Sequence, residues 1–279
     1  MNYLDRFRVP PGRTLKLADI DPSFKDQHKD REAAAVEIEK YRERLSELQE
    51  MLYVERRRSL LICLQALDTG GKDGTINHFL SAMNPQGCRV TQFRQPSAQE
   101  AAHDFLWRIH QATPARGEVA IFNRSHYEDV LTVRVHNLVP KTVWSLRYDH
   151  INAFERALVD NDTHVLKFFL YISAEEQLER FKARLDDPTK QWKISEADYA
   201  ERKCWDAYAK AYEEALSRCS TEHAPWFVVP ANHKWFRNLA VARIVVEHLE
   251  GLGLTYPKPS VDIERIRREY HAAKSARRN

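Results

Sequence analysis

The stretch Leu60-Leu61-Ile62-Cys63-Leu64-Gln65-Ala66-Leu67-Asp68-Thr69-Gly70-Gly71-Lys72-Asp73-Gly74-Thr75 decides how the rest of the chain is read. Its opening residues are apolar or branched and predict a buried strand. Three of the chain's eight glycines fall between Gly70 and Gly74, ahead of a helix that starts near Lys72. A strand, a glycine turn and a helix start aim backbone amides at one place, and phosphate is the usual occupant. The match to G-x-x-x-x-G-K-[ST] is partial. Gly71 and Lys72 fit, whereas Ala66 takes the first glycine and Asp73 replaces the hydroxyl residue. An aspartate there either holds a cation or repels the ordinary nucleotide pose. The alternative for this stretch alone is a strand-to-helix turn with a solvated lysine.

Working outward, Ile38, Tyr41, Leu45, Leu48 and Leu52 are spaced 3-4-3-4 and predict a long amphipathic helix from Asp30 to Arg58. Residues 1–28 read as irregular, with Pro10-Pro11-Gly12 and Asp21-Pro22 marking turns or an arm laid on the surface. After the glycine turn come a helix from Ile76 to Met83, a strand from Cys88 to Phe93, a helix from Ala98 to Gln111 and a strand from Val119 to Phe122. That alternation implies an α/β fold with a parallel sheet and right-handed crossovers. Ligands of such sheets bind at the carboxyl ends of the strands. Asn123-Arg124-Ser125-His126-Tyr127-Glu128-Asp129 is therefore expected beside the glycine turn. Further on, Trp144–Asp160 and Glu196–Arg218 read as helices, and Val165–Ile172 and Trp226–Val229 as strands. Ala174–Leu185 and Lys234–Leu249 complete the helices. Lys182, Arg184, Lys190 and Lys193 surround Asp186-Asp187-Pro188, where phosphotransferases commonly keep a lid. A charged surface connection is the bland alternative. The tail, with Arg265, Arg267, Arg268, Lys274, Arg277 and Arg278, is strongly basic.

The 279 residues suffice for one large domain with terminal additions. With 43 basic and 40 acidic side chains, net charge +3, global charge announces no polyanion partner, so any such partner must be recognised by local clusters. Cys63, Cys88, Cys204 and Cys219 form no C-x-x-C pair, which argues against a zinc site or disulfide framework and fits a reducing cytosol. The start carries no signal-peptide pattern, and no apolar run approaches the roughly 18 residues of a membrane span. A cytoplasmic protein is expected.

Five ordered blocks carry a resemblance. They are Leu67-Asp68-Thr69-Gly70-Gly71-Lys72-Asp73-Gly74, then His103-Asp104-Phe105-Leu106-Trp107-Arg108, then Phe122 to Val130. Arg184-Leu185-Asp186-Asp187-Pro188-Thr189-Lys190-Gln191-Trp192-Lys193 and Val229 to Asn238 follow. Together they resemble polyphosphate kinase family 2, in particular its class III, over about residues 25–250. The resemblance implies a three-layer α/β/α sandwich of the P-loop nucleoside-kinase type with a lid. With no internal repeat or low-complexity linker, the chain divides into an arm and long helix (1–58), a kinase domain with its lid around 182–203 (59–250), and a basic tail (251–279). The resemblance also implies phosphoryl transfer between inorganic polyphosphate and AMP or ADP (or GMP and GDP), with magnesium required and manganese as the substitute. A homodimer or homotetramer is implied too, with the 30–58 helix as an interface. Other classes carry F-D-R-S where this chain has Asn123, so the asparagine supports class III and weakens a metal role at that position.

On this reading Lys72 and the Gly70–Gly74 amides hold phosphate oxygens, and Asp68 holds the metal with Glu128 or Asp129 as second carboxylate. Arg124 and Arg184 neutralise the transferring group. Asp73, Thr75 and Asn123 complete the nucleotide and phosphate contacts, Asp73 by orienting the acceptor. Lys141, Arg147, Lys182, Lys190 and Lys193 line a channel for the polyphosphate chain. Two rivals remain. One is an ATP-dependent nucleoside monophosphate kinase, against which Asp73 and the basic lid argue. The other is a polyanion-binding protein without turnover, perhaps for RNA. It would need aromatic platforms among the tail's cations, and from Ile263 onward Tyr270 is the tail's only Phe, Tyr or Trp; nucleic acid is not the expected partner, and neither is a membrane.

Overall fold

The computed structural model describes residues 2–276. In chain order the elements are α1 (Tyr3–Phe7), α2 (Arg31–Glu55), β1 (Ser59–Gln65), α3 (Lys72–Leu80), β2 (Cys88–Gln92), α4 (Ala98–Ala101), α5 (Trp107–His110) and β3 (Val119–Asn123). There follow α6 (Thr132–Val135), α7 (Lys141–Trp144), α8 (Arg147–Val159), β4 (Thr163–Tyr171), α9 (Ala174–Leu185), α10 (Glu196–Arg202), α11 (Trp205–Cys219), β5 (Trp226–Pro230), α12 (Lys234–Gly251) and α13 (Ile263–Ala276).

The five strands are parallel in the order β2-β3-β1-β4-β5, so the strand before the glycine turn is central. Every residue of β1 is buried, which explains its unbroken apolar run: helices cover both faces of the sheet. Leu60, Ile62 and Leu64 face one layer, where they pack with Leu45, Leu48 and Leu52 of α2, Phe79 of α3 and Ile244 of α12. Leu61 and Cys63 face the other, with Ile109 of α5 and Phe154 of α8. The fold is a three-layer α/β/α sandwich.

This topology positions the site. β1 pairs with β3, Leu64 opposite Asn123. From there the two strands feed opposite layers, since Ile76 and Phe79 of α3 join one core and Tyr148 and Ile151 of α8 the other. Where neighbouring strands send their chains to opposite faces, a crevice opens at their carboxyl ends.

Several elements differ from the expectations. The arm is not laid on the surface: Tyr3 and Phe7 are buried in the same core as Leu60, and Val9 N–H donates to Trp226 O along the edge of β5. The helix expected over 98–111 is two short ones. A Ser97–Glu100 capping box starts α4, and the Asp104 carboxylate accepts from Leu106 N–H, a local turn that competes with helix. The helix expected over 196–218 breaks at Lys203-Cys204, and Arg202 turns back to donate to Ala174 O on α9. The helix expected over 144–160 starts only at Arg147, with α7 as a separate turn before it. In the tail, Arg265, Arg267, Arg268 and Lys274 are exposed on α13, whereas Arg277 and Arg278 lie outside the described residues. The apolar stripe of α2 packs on α12 within the chain.

Behind β3 the core holds a charged cluster. Lys167 of β4 is fully buried and donates to Glu155 of α8, to the Tyr127 hydroxyl (2.9 Å) and to Cys219 O (2.7 Å). Burial opposes ionisation of Glu155, but Lys167 and His126 overcome it and hold the carboxyl below its usual range. Removing one partner strands the other charge in the core. Lys167→Met is therefore expected to lower stability by about 3–5 kcal/mol, read as a shifted midpoint in urea unfolding.

Candidate active site

After β1 the chain closes a tight turn in which Gly70 N–H donates to Leu67 O (2.9 Å). A Cβ on Gly70 would lie 2.4 Å from Ala66 Cβ, so the turn excludes any larger residue. Thr69 takes φ +62°, a conformation that branched residues adopt only under constraint. The constraint comes from α9: Arg180 donates to Thr69 O (2.8 Å) and Gln177 to Asp68 O (3.0 Å). Gly71, at φ +102°, caps α3 without a side-chain bond. The amides of Lys72, Asp73 and Gly74 thus begin the helix with no intrahelical acceptor and point into the crevice as an anion cradle.

The crevice, of about 400 Å³, is lined by eight Lys and Arg side chains against three Asp. It brings together Asp68, Gly71, Lys72, Asp73, Gly74, Asn123, Arg124, Arg184, Lys190 and Lys193 of the predicted set. Lys72 donates to Ala66 O (3.1 Å). Burial lowers its pKa to about 8; Arg124 adds to the fall and Asp68 opposes it. Arg124, at φ +62°, donates to Asp68 Oδ1 (3.0 Å) and lies 3.4 Å from Glu128 Oε2. Glu128 also accepts from Thr132 Oγ1 (2.6 Å). Asn123 Nδ2 donates to Asp73 Oδ1 (2.9 Å), so the neutral amide lets the aspartate sit at the strand end without a like-charge neighbour. Arg184 donates to Lys193 O (2.6 Å), which ties α9 to the loop before α10.

Other predicted residues lie differently. Asp129 is buried and bonded to Arg147 Nη1 (2.8 Å), and it lines an adjoining pocket instead of the phosphate crevice. Burial raises its carboxyl to about 6, although Arg147 opposes the rise. Arg147 is thereby engaged with Asp129 and the face of Phe105, and it does not line the crevice. Lys141 is exposed at the start of α7, and Lys182 is exposed and paired with Asp186; neither lines the crevice. Thr75 is buried, with its hydroxyl turned back on Gly71 O (3.3 Å), and Gly70 has its amide engaged in the turn. Neither lines the crevice.

The prediction missed Arg180, Lys234 and Arg237. Lys234 and Arg237 are one helical turn apart at the start of α12, just past the carboxyl end of β5. That position was available from the strand-end rule. Arg237 is buried and its Nη1 occupies the space a Cβ on Gly71 would take, 1.7 Å away. Burial lowers its pKa to about 9, with Arg180 contributing. It donates to Asn238 Oδ1, and among the described residues no carboxylate pairs with it. A buried guanidinium without a counterion is stabilised by a bound anion.

Two carboxylates, Asp68 and Glu128, flank Arg124 and face the crevice system. Among the described residues no group of three His, Cys, Asp or Glu forms an all-protein cation cage. This donor set fits magnesium, which keeps waters and takes one or two carboxylates plus substrate phosphates. The adjoining pocket, of about 610 Å³, shares Arg124 and Glu128 and adds Phe93, Pro96, Val133 and Leu138.

A parallel sheet with the glycine turn after its central strand, a helix start without a side-chain cap and a cation-lined crevice define a phosphate-loop kinase. The sequence matches the family model for polyphosphate kinase 2 over residues 27–254, and the chain belongs to that family. A curated relative from Meiothermus ruber, named AMP/ADP-polyphosphate phosphotransferase, is 49% identical over 94% of this chain and 99% of its own. One from Rhodopseudomonas palustris, named ADP-polyphosphate phosphotransferase, is 43% identical over 91% and 92%. The crystal structure of polyphosphate kinase 2 from Arthrobacter aurescens TC1 superposes with a TM-score of 0.94 at 42% identity, over 98% of this chain and 97% of that one. Among the described residues no helix is long and apolar enough to cross a membrane.

Gly71→Ala would drive a methyl group into Arg237 and disfavour the backbone at φ +102°. Steady-state kinetics are expected to show kcat/KM lower by about a hundredfold.

Proposed function

We propose that this enzyme moves a phosphoryl group between inorganic polyphosphate and adenine nucleotides, taking both AMP and ADP as acceptors, with GMP and GDP as further candidates. The observation that carries the proposal is the excess of cations in the crevice, eight against three, including buried Arg237. A polyphosphate chain bears about one negative charge per phosphate, and such a lining neutralises several successive residues. The names borne by the relatives agree with this reading.

The acceptor phosphate is already ionised, so no strong base is required. Its oxygen attacks the terminal phosphorus of polyphosphate, a new P–O bond forms, and the bridging P–O bond breaks with its electron pair on the shortened chain. Lys72 and the first amides of α3 hold the oxygens of the transferring group, while Arg124 and Arg184 balance its charge. Magnesium, held by Asp68 with Glu128 nearby, would neutralise phosphate charge. The pocket with Phe93, Pro96, Val133 and Leu138 suits the acceptor nucleoside, because it is partly apolar and shares Arg124. Asp73, bonded to Asn123, lines the phosphate crevice and would orient the acceptor from there.

An ATP-dependent nucleoside monophosphate kinase would use the same fold, but Asp73 in place of Ser or Thr and the basic lid favour a polyphosphate donor. The separating assay supplies magnesium and long-chain polyphosphate with AMP or ADP in separate reactions and follows nucleotides by chromatography. ATP from ADP, and ADP then ATP from AMP, is expected. No product with polyphosphate, but ADP from ATP plus a monophosphate, would overturn the donor assignment. Lys72→Ala and Asp68→Asn are each expected to lower turnover by about two orders of magnitude or more with the fold intact by circular dichroism.

The lowered pKa of Lys72 sets a pH limit. Its cationic form binds phosphate and is lost as pH rises through about 8 in the free enzyme. A fall in kcat/KM with an alkaline limb near that value is expected. Lys72→Arg, which stays charged, should remove the limb even if it lowers the plateau.

A further inference from the structure

Gln177, Arg180 and Arg184 follow one another at helical spacing and occupy the loop-facing side of α9. Arg180 and Arg184 line the phosphate crevice, Arg180 also holding Thr69 O, whereas Gln177 lines the adjoining pocket with Asp68, Arg124, Glu128 and Arg202. It is almost wholly buried, and its two amide atoms are used in opposite directions. Nε2 donates to the backbone carbonyl of Asp68 (3.0 Å), and Oε1 accepts from Arg202 Nη1 (2.9 Å) at the last turn of α10. The orientation of the amide is unambiguous, because a carbonyl cannot donate and a guanidinium cannot accept. Arg202 is fixed in turn by donating to Ala174 O (2.8 Å).

We infer that Gln177 is a positioning residue for phosphoryl transfer, a joint through which α10 of the lid holds the backbone of Asp68. Asp68 sits at the start of the strained turn, and its side chain meets Arg124. Its carboxylate direction is set by its own backbone, whose carbonyl has Gln177 as its side-chain anchor. When α10 is seated, Arg202 fixes the Gln177 amide and Asp68 is aligned with Arg124. When α10 swings away, Gln177 loses the acceptor bond that orients it and Asp68 loses its brace. Lid position and alignment of the reacting groups are thus linked through two hydrogen bonds. The inference rests on the phosphoryl-transfer reading of the site.

Two substitutions separate the bonds. Gln177→Glu, ionised near neutrality, still accepts from Arg202 but cannot donate to Asp68 O. Arg202→Met removes the lid bond and leaves Gln177 its amide donor without the partner that orients it. Both variants, the double variant and the unaltered chain are assayed together with polyphosphate and ADP, and tryptic cleavage after Lys190 and Lys193 reports how firmly the lid is seated. The joint predicts a fall in kcat of about tenfold or more in each single variant, with both KM values changed less than about twofold. The double variant should be no worse than the worse single, because each change breaks the same chain of contacts. The lid should be cut faster in Arg202→Met and at the unaltered rate in Gln177→Glu. A Gln177→Glu variant at full kcat, losses that multiply in the double variant, or unchanged lid cleavage in Arg202→Met would overturn the joint. If Gln177→Glu does not accumulate, Arg202→Met at its half-buried position decides the matter through kcat and cleavage alone. Absence of polyphosphate-dependent turnover in the unaltered chain would instead sink the functional reading, while the cleavage rates would still report on the lid contact.

Discussion

Eight cations gathered around three aspartates repel one another on balance, and the site exists only because the scaffold holds them in place. Lys72 and Arg237 both have their pKa values lowered by burial, and a neighbouring arginine deepens each shift. The repulsion is offset by core packing on both faces of the sheet and by carbonyl acceptors placed around the site. Arg180 donates to Thr69 O and to Asn232 O, and Lys72 donates to Ala66 O. A chain of phosphates relieves the same repulsion, which makes substrate the missing counterion of the fold.

Strain follows from that arrangement. Thr69 and Arg124, at the ends of adjacent strands, both adopt positive φ. Each is pinned from outside the loop, Thr69 by Arg180 and Arg124 by its amide on Leu64 O and its guanidinium on Asp68. Non-glycine residues in this region persist where surrounding structure over-determines them. Here they bring an aspartate and an arginine from different crossovers into contact at 3.0 Å.

The buried Lys167–Glu155–His126 cluster supports the same segment from behind. His126 and Tyr127 immediately follow Arg124 and Ser125, and both reach Glu155 in the core. The turn that carries Arg124 and Glu128 is therefore anchored on α8 and β4, away from solvent.

Much of this was legible in the residue order. The apolar run Leu60–Leu64, the glycines at 70, 71 and 74, and the strand ending at Asn123 follow from local periodicity and turn chemistry, which act over a few residues. They sufficed for the α/β class and the carboxyl-end location, and Asp68, Lys72, Arg124 and Arg184 do line one crevice there. Tertiary structure alone decided which cations face the crevice. Arg147 and Lys182 carry the same charge as Arg237, yet the first two are taken by Asp129 and Asp186, whereas Arg237 packs against the loop and lines the crevice. Tertiary structure also drew Tyr3 and Phe7 into the core, broke the 98–111 helix, and committed Asp129 to Arg147, outside the crevice that Asp68 lines. These outcomes depend on partners distant in sequence, and a charge at a given position carries no record of which partner the fold will bring to it.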